Sequence, residues 1–133
     1  MTTPSLPADA LAPYDLTPPV TPFALTNLGL NNTALGIRTG TEDYVLKSYY
    51  EPPNEDGLAY EHRLLEWLSE QTLSFVVSAP IPTITGDTWH RTSDGCYVLL
   101  PFISGRRPNP DNPVHVEAVG AALGELHTIL RAY

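Results

Sequence analysis

The run Tyr44-Val45-Leu46-Lys47-Ser48-Tyr49-Tyr50 predicts a β-strand, because it consists mainly of aromatic and branched residues. It contains Lys47, the only lysine among the seven basic residues of this 133-residue chain. Successive side chains of a strand point to opposite faces, so Val45 and Lys47 share one face and Leu46 points to the other. An unpaired buried charge is costly, and Lys47 therefore needs a partner.

Glu61 is the best candidate for that partner. It lies fourteen residues downstream of Lys47, on a helix predicted over residues 58–71. Leu58, Leu65 and Leu68 have the spacing of an amphipathic helix, and Glu61 takes the vacant place in their stripe. The pattern predicts that Glu61 faces the strand. A purely structural ion pair, or a lysine that protects a sheet edge, remains open as an alternative.

Composition limits the class of protein. The net charge of -8 and the pI near 4.7 argue against nucleic acid or an anionic membrane as a partner. Cys96 is the only cysteine, so no internal disulfide can form and a reducing compartment is favoured. The N-terminus does not resemble a signal peptide, and no apolar run has the length of a membrane span. We expect a cytoplasmic, single-domain protein without a metal-ligand cluster.

The first half of the chain predicts an antiparallel meander. Residues 1–22 contain six of the fourteen prolines and predict an extended segment with a turn of helix near Ala8–Leu11, or a disordered tail. Strands are expected at residues 23–28 and 34–39, followed by the Lys47 strand. The intervening turns are rich in glycine and asparagine, which tolerate a positive φ.

The second half predicts more sheet and a long helix. Residues 78–87 predict an extended entry, a strand and a turn, and residues 96–100 a strand buried on both faces. Asn112 is predicted to cap a last helix that begins at Pro113. That helix has an apolar stripe whose members are Val116, Val119, Leu123, Leu126 and Leu130. This stripe predicts a surface made for a partner, and self-association through helix 113–131 is one option.

Six pieces of the sequence, taken in order, resemble the aminoglycoside phosphotransferase and choline kinase family, which includes homoserine-kinase-like enzymes. They cover the family's nucleotide loop, lysine strand, acidic helix, fourth-strand entry, fifth strand with hinge, and first helix after the hinge. The pieces are residues 28–33, 44–47, 61–68, 79–86, 97–105 and 123–127. The resemblance implies an α+β fold, a protein-kinase-like N-lobe with about five antiparallel strands and one packed helix.

The resemblance also implies that the chain binds ATP. Lys47 would hold the α- and β-phosphates, Glu61 would orient Lys47, and Val45 would roof the adenine. Backbone N–H groups around Asn31, Asn32 and Thr33 would cover the phosphates.

The hinge after the fifth strand would bind the edge of the adenine. Pro101 has no N–H and could offer only its carbonyl oxygen. Phe102 or Ile103 would then supply the N–H donor.

One part of the family pattern is missing. The family carries a histidine–glycine–aspartate motif followed by an asparagine, then an aspartate that holds Mg²⁺, and neither occurs in these 133 residues. The resemblance therefore covers a Pro-rich segment (1–22), a nucleotide-binding N-lobe (23–105), and a linker with the first helix of a second lobe (106–133). The ligands of Mg²⁺ and the pocket for a small-molecule acceptor would lie elsewhere, so this chain alone is expected to be inactive.

Two other interpretations remain open at this point. The chain could be a non-catalytic lobe that acts as a protein-interaction module through its C-terminal helix. It could also be an unrelated α+β domain in which Lys47 and Glu61 never meet.

Overall fold

The computed structural model describes residues 6–25, 33–49 and 53–133. Within them the chain forms five strands that build one antiparallel sheet, in the order β1-β2-β3-β5-β4. The elements are α1 (Ala8–Leu11), β1 (Thr21–Phe23), β2 (Thr33–Arg38), β3 (Asp43–Tyr49), α2 (Glu55–Ser69), β4 (His90–Thr92), β5 (Gly95–Pro101) and α3 (Pro113–Leu130). The predicted α+β architecture with about five strands is confirmed.

The Lys47 strand, β3, lies at the centre of the sheet. Lys47 is opposite Ala34 of β2 on one side and Val98 of β5 on the other. Leu46 is opposite Leu99 and is buried with it, so the predicted division of β3 into two faces is confirmed. One face carries Lys47, and the other belongs to the hydrophobic core.

The N-terminal segment covers the core face of the sheet. Ala10, Leu11 and Tyr14 are buried in one cluster with Leu46 and Leu99. The predicted short helix is present at Ala8–Leu11. The segment is also held by backbone hydrogen bonds to two turns, from Ile84 N–H to the Pro13 carbonyl (2.9 Å) and from Gly40 N–H to the Thr17 carbonyl (2.7 Å). Ala10, Leu11 and Tyr14 therefore anchor this segment in the folded core, and the disordered-tail alternative is wrong for residues 6–20.

Two strand predictions need correction. The strand expected at residues 23–28 ends at Phe23, because β1 spans Thr21–Phe23, and residues 26–32 lie outside the described residues. Residues 78–87 contain no strand, although Ile81 N–H donates to the Leu99 carbonyl at 2.8 Å. The prolines on either side of Ile81 have no N–H, so the ladder cannot continue past it.

Helix α2 begins three residues earlier than predicted, at Glu55. The side-chain oxygen of Asn54 accepts a hydrogen bond from Gly57 N–H at 3.1 Å, which satisfies one of the free donors of the first turn. Glu55 and Asp56 add negative charge at the positive end of the helix dipole. These three residues define the start of the helix, and the sequence spacing of the leucines did not include them.

Helix α3 begins as predicted. Asn112 Oδ1 accepts from Val114 N–H at 3.0 Å, and Pro113 occupies the first turn. None of its residues is buried, and its apolar positions Val116, Val119 and Leu123 are exposed. Within the part of the chain that the structure describes, no helix is long and apolar enough to cross a membrane.

The C-terminal end of the chain contacts α2, and α3 contacts the segment that follows α2. The ring of Tyr133 lies 5.0 Å from that of Trp67 and 6.2 Å from that of Tyr60. Glu125 accepts hydrogen bonds from Ser74, at 2.7 Å from the main-chain nitrogen and 2.5 Å from the hydroxyl. These contacts attach α3 at its C-terminal half and leave its N-terminal half uncovered.

Candidate functional site

Lys47 is half-buried on its face of the sheet, and its Nζ lies 5.0 Å from the centre of the Tyr49 ring. This is the distance of a cation–π contact. Among the residues described, the ion pairs are Arg38–Asp43 at 3.5 Å and Arg91–Glu55 at 2.6 Å. Lys47 and Glu61 are thus not within the roughly 4 Å that an ion pair requires. The structure leaves the predicted partners unpaired.

His62, not Glu61, occupies the buried place in the α2 stripe. Its side chain is 4% exposed, together with the buried Leu58 and Leu68, whereas Glu61 is exposed. The His62 Nδ1 lies 2.7 Å from the hydroxyl oxygen of Thr88, and the ring packs 5.9 Å from Trp89. The prediction that Glu61 fills this place is wrong, because contacts with the segment before β4 set the rotation of the helix.

The pKa of His62 is lowered in the folded chain. Burial lowers the pKa of His62, the negative charge of Glu61 opposes that effect, and the positive charge of Lys47 adds to it. Helix α2 is joined to β4 by the ion pair between Glu55 and Arg91, at 2.6 Å.

A cleft of about 530 Å³ opens between the end of β1 and the segment that follows β5. Its lining includes the predicted hinge residues Phe102 and Ile103, and also Arg106 and Arg107. Val45 and Lys47 are not among its lining residues. The structure therefore places part of the predicted hinge at a cleft, and Lys47, the predicted phosphate ligand, does not line that cleft.

Phe23 forms the β1 wall of this cleft and was not predicted as a site residue from the sequence. Its ring packs edge to face on Phe102, with centres 5.6 Å apart, and the Arg38 guanidinium lies 5.0 Å from its centre. It also lies over Gly36, where a Cβ would come within 2.4 Å of the ring. Gly36 pairs with Val45, so Phe23 lies one strand away from the predicted adenine roof. A glycine in the middle of a strand was the available signal.

The remaining predicted site residues lie at the end of β5 and at the start of β2. Pro101 ends β5, and the N–H of Phe102 donates to the Asp43 carbonyl at 3.1 Å. Thr33 is the first residue of β2, whereas Asn31 and Asn32 lie outside the described residues. Within the described residues no group of three or more His, Cys, Asp or Glu side chains is arranged to hold a metal ion.

The fold and this cleft define an α+β lobe that ends in a hinge and a helix, and comparison with known proteins gives its family. The model of the phosphotransferase enzyme family (APH) matches residues 25–133, and the chain belongs to that family. The predicted family resemblance is thereby confirmed. No curated protein matches the chain significantly.

A solved structure supports the fold. It is spectinomycin phosphotransferase APH(9)-Ia in complex with ADP and spectinomycin, which matches with a TM-score of 0.52 and 18% identity. The match covers 74% of this chain and 28% of that one. The predicted protein-kinase-like N-lobe is confirmed, and the chain spans little more than a quarter of the length of that structure.

Proposed function

We propose that this chain is the ATP-binding lobe of a small-molecule phosphotransferase, which moves the γ-phosphoryl group of ATP to a hydroxyl or an amine and releases ADP. The observation that carries the proposal is the cleft between Phe23 and the hinge residues Phe102 and Ile103, in a lobe of this family. The similar solved structure holds ADP and spectinomycin, which supports a nucleotide and a small-molecule acceptor as partners.

The adenine would lie at the hinge. Polar groups of an extended backbone alternate between its two edges, and the Phe102 N–H is directed to Asp43 of β3. The Pro101 carbonyl and the Ile103 N–H would then share the opposite edge, as one acceptor and one donor for the base. The sequence left the N–H groups of Phe102 and Ile103 open as donors, and the hydrogen bond of Phe102 to Asp43 favours Ile103. Val45 would cover the base from the sheet.

The phosphates would lie toward Lys47. Lys47 would act by position and charge, without covalent chemistry. Glu61 would orient it after a rotation or shift of α2, since Glu61 is the neighbour of the buried His62 on that helix. Backbone N–H groups around Asn31, Asn32 and Thr33 would cover the phosphates.

The remaining machinery would come from outside these residues. Mg²⁺, when bound, would neutralise phosphate charge, and its ligands and the catalytic aspartates are expected in a second lobe. The 133 residues alone are therefore proposed to be inactive. The predicted segment boundaries at residues 22 and 105 and the cytoplasmic location also stay predictions.

Thermal unfolding of the chain with and without Mg-ATP tests the proposal. A ligand at a hundred times its Kd stabilises a protein by about 2.7 kcal/mol, which raises Tm by several degrees. Lys47→Ala should reduce this shift, whereas Arg63→Ala, which removes an exposed cation from α2, should retain it. An equal shift in both variants would remove Lys47 from the phosphate site, and no shift in any of them would contradict ATP binding by this lobe.

The exposed part of α3 favours one second candidate, an interaction module that uses Val116, Val119 and Leu123. Their side chains are 54%, 43% and 50% exposed, on a helix without a buried residue. Sedimentation equilibrium tests for self-association. The molecular mass of the wild type should rise with concentration, and Leu123→Glu should keep the chain monomeric. A monomeric wild type would contradict self-association through this face.

A further inference from the structure

Arg38, the last residue of β2, has no role in the proposed function, yet it contacts a residue that lines the cleft. Its guanidinium carbon lies 5.0 Å from the centre of the Phe23 ring, and its Nε lies 3.5 Å from a carboxylate oxygen of Asp43. The Arg38 side chain is 62% exposed, and an exposed ion pair of this kind contributes little to stability. A surface ion pair needs no aromatic ring, so the cation over Phe23 is the feature that requires a reason.

These contacts form a closed circuit of four residues around the end of the cleft. The Phe23 ring packs edge to face on the Phe102 ring, with centres 5.6 Å apart. The N–H of Phe102 donates to the carbonyl oxygen of Asp43 at 3.1 Å, and the Asp43 carboxylate pairs with Arg38. Asp43 thus contacts the hinge through its main chain and Arg38 through its side chain, and Arg38 in turn contacts the Phe23 ring.

The strand register places the Phe23 ring on the face of the sheet that carries Val45 and Lys47. Phe23 is opposite Gly36, and Gly36 is opposite Val45. Residues directly opposite each other in antiparallel strands point to the same face, and Lys47 shares it because it lies two residues beyond Val45. The ring lies over Gly36, where a Cβ would clash with it. It therefore takes the space of a β2 side chain, beside the predicted adenine roof.

We propose that Phe23 is an aromatic contact for the nucleotide base in the cleft, and that Arg38 is the positioning residue that holds its ring against the hinge. Bases stack favourably on aromatic side chains, because every base has a π face. A guanidinium over the ring attracts it electrostatically, and the pair with Asp43 holds that guanidinium in place. The inference rests on the proposed function, since it concerns the base of the ATP placed at this hinge.

NMR titration of the full chain with Mg-ADP and with adenosine tests the role of Arg38. Adenosine has no phosphate, so a loss of its affinity does not arise from lost attraction between a cation and phosphate. Arg38→Gln should weaken both ligands about two- to fivefold, the effect of an exposed cation–π contact. Arg38→Lys keeps a cation and should retain most of the affinity. Arg63→Gln removes an exposed cation of α2 and should bind adenosine like the wild type.

The phenylalanine rings distinguish positioning from a general effect on the fold. The chain has three phenylalanines, Phe23, Phe75 and Phe102, so phenylalanine-labelled protein gives three sets of ring signals. Phe75→Leu and Phe102→Leu assign the Phe23 set by elimination, without a variant of Phe23 itself. Bound adenosine should show nuclear Overhauser effects between its H2 or H8 proton and the Phe23 ring. These effects should weaken in Arg38→Gln at equal saturation with adenosine.

The outcomes separate this inference from the proposed function. If the wild type binds adenosine without an Overhauser effect to Phe23, the ring does not contact the base and the inference is overturned. Equal adenosine affinity in Arg38→Gln and the wild type also overturns it, because Arg38 would then not act through the ring. If neither Mg-ADP nor adenosine binds the wild type, the proposed ATP site is contradicted and the inference fails with it.

Discussion

The main-chain N–H of Phe102 donates a hydrogen bond to the carbonyl oxygen of Asp43, at 3.1 Å. This bond joins the first residue after β5 to the first residue of β3, and it fixes the chain where β5 ends. It also occupies the Phe102 donor. If a base binds at this hinge, the N–H that reaches it belongs to Ile103.

Ile103→Pro tests this assignment, because proline removes the N–H. One hydrogen bond contributes about 0.5–1.5 kcal/mol, so the affinity for Mg-ADP should fall roughly two- to tenfold. Ile103→Ala keeps the N–H and removes a side chain that is already 45% exposed, and it should bind nearly as well as the wild type. Isothermal titration calorimetry measures both. Equal losses in the two variants would assign the effect to the side chain.

Gly36 is required for the position of the Phe23 ring. A Cβ at Gly36 would lie 2.4–2.5 Å from three carbons of that ring, so Gly36→Ala must displace it. Overpacking of this kind costs about 1–3 kcal/mol in the free energy of unfolding, measured by urea titration. Gly120→Ala is the matched control, because it lies in α3 with open space around it and should stabilise the helix by about 0.5–1 kcal/mol. A neutral Gly36→Ala would show that the ring is not confined by the sheet.

The central strand and the start of α3 were predictable because local chemistry decides them. The alternation of Lys47 and Leu46 needs only the period of a strand, and the register with β5 confirms it. Asn112 caps α3 through its own side chain two residues away. Neither feature depends on distant parts of the chain.

The rotation of α2 was not predictable from its own residues. A helix turns by roughly 100° per residue, so position 61 lies about 60° short of a full turn from Leu58 and position 62 about 40° beyond it. Both fit the leucine stripe. The choice falls to His62 because Thr88 and Trp89, far along the chain, contact its ring. The Lys47–Glu61 pair was inferred from a stripe that could not distinguish the two positions.

The N-terminal segment should contribute most of its stability through Leu11. This side chain is 8% exposed in the core cluster, and Leu11→Ala should lower the free energy of unfolding by about 2–5 kcal/mol. Chemical denaturation measures the loss. A change below about 0.5 kcal/mol, typical of surface positions, would mean that the segment does not belong to the core.

Tyr14 in the same cluster should respond differently. Its hydroxyl is buried and makes no hydrogen bond of normal geometry among the described residues. Burial raises its pKa to about 12, and the nearby main chain of Leu99 opposes that rise only in part. An unsatisfied buried hydroxyl carries a desolvation penalty of about 1–3 kcal/mol, which Tyr14→Phe removes while it keeps the ring. The variant should therefore be as stable as the wild type or more so. A clear loss of stability in denaturation would reveal a partner for the hydroxyl.

The stability of the fold should fall as the pH falls below 6.5, through His62. Its pKa is lowered in the folded chain and ordinary in the unfolded chain, so the unfolded chain takes up the proton first. The contribution of His62 to the free energy of unfolding is complete above pH 6.5. It is lost as the pH falls from 6.5 through the lowered pKa of the folded chain. Glu125, whose pKa the hydrogen bonds from Ser74 hold below its usual 4.5, loses its contribution only below that value. Urea midpoints measured between pH 6.5 and pH 4.5 should therefore decline with falling pH in the wild type and in His127→Asn. They should stay level in His62→Asn. A slope that survives in His62→Asn would show that another group carries it.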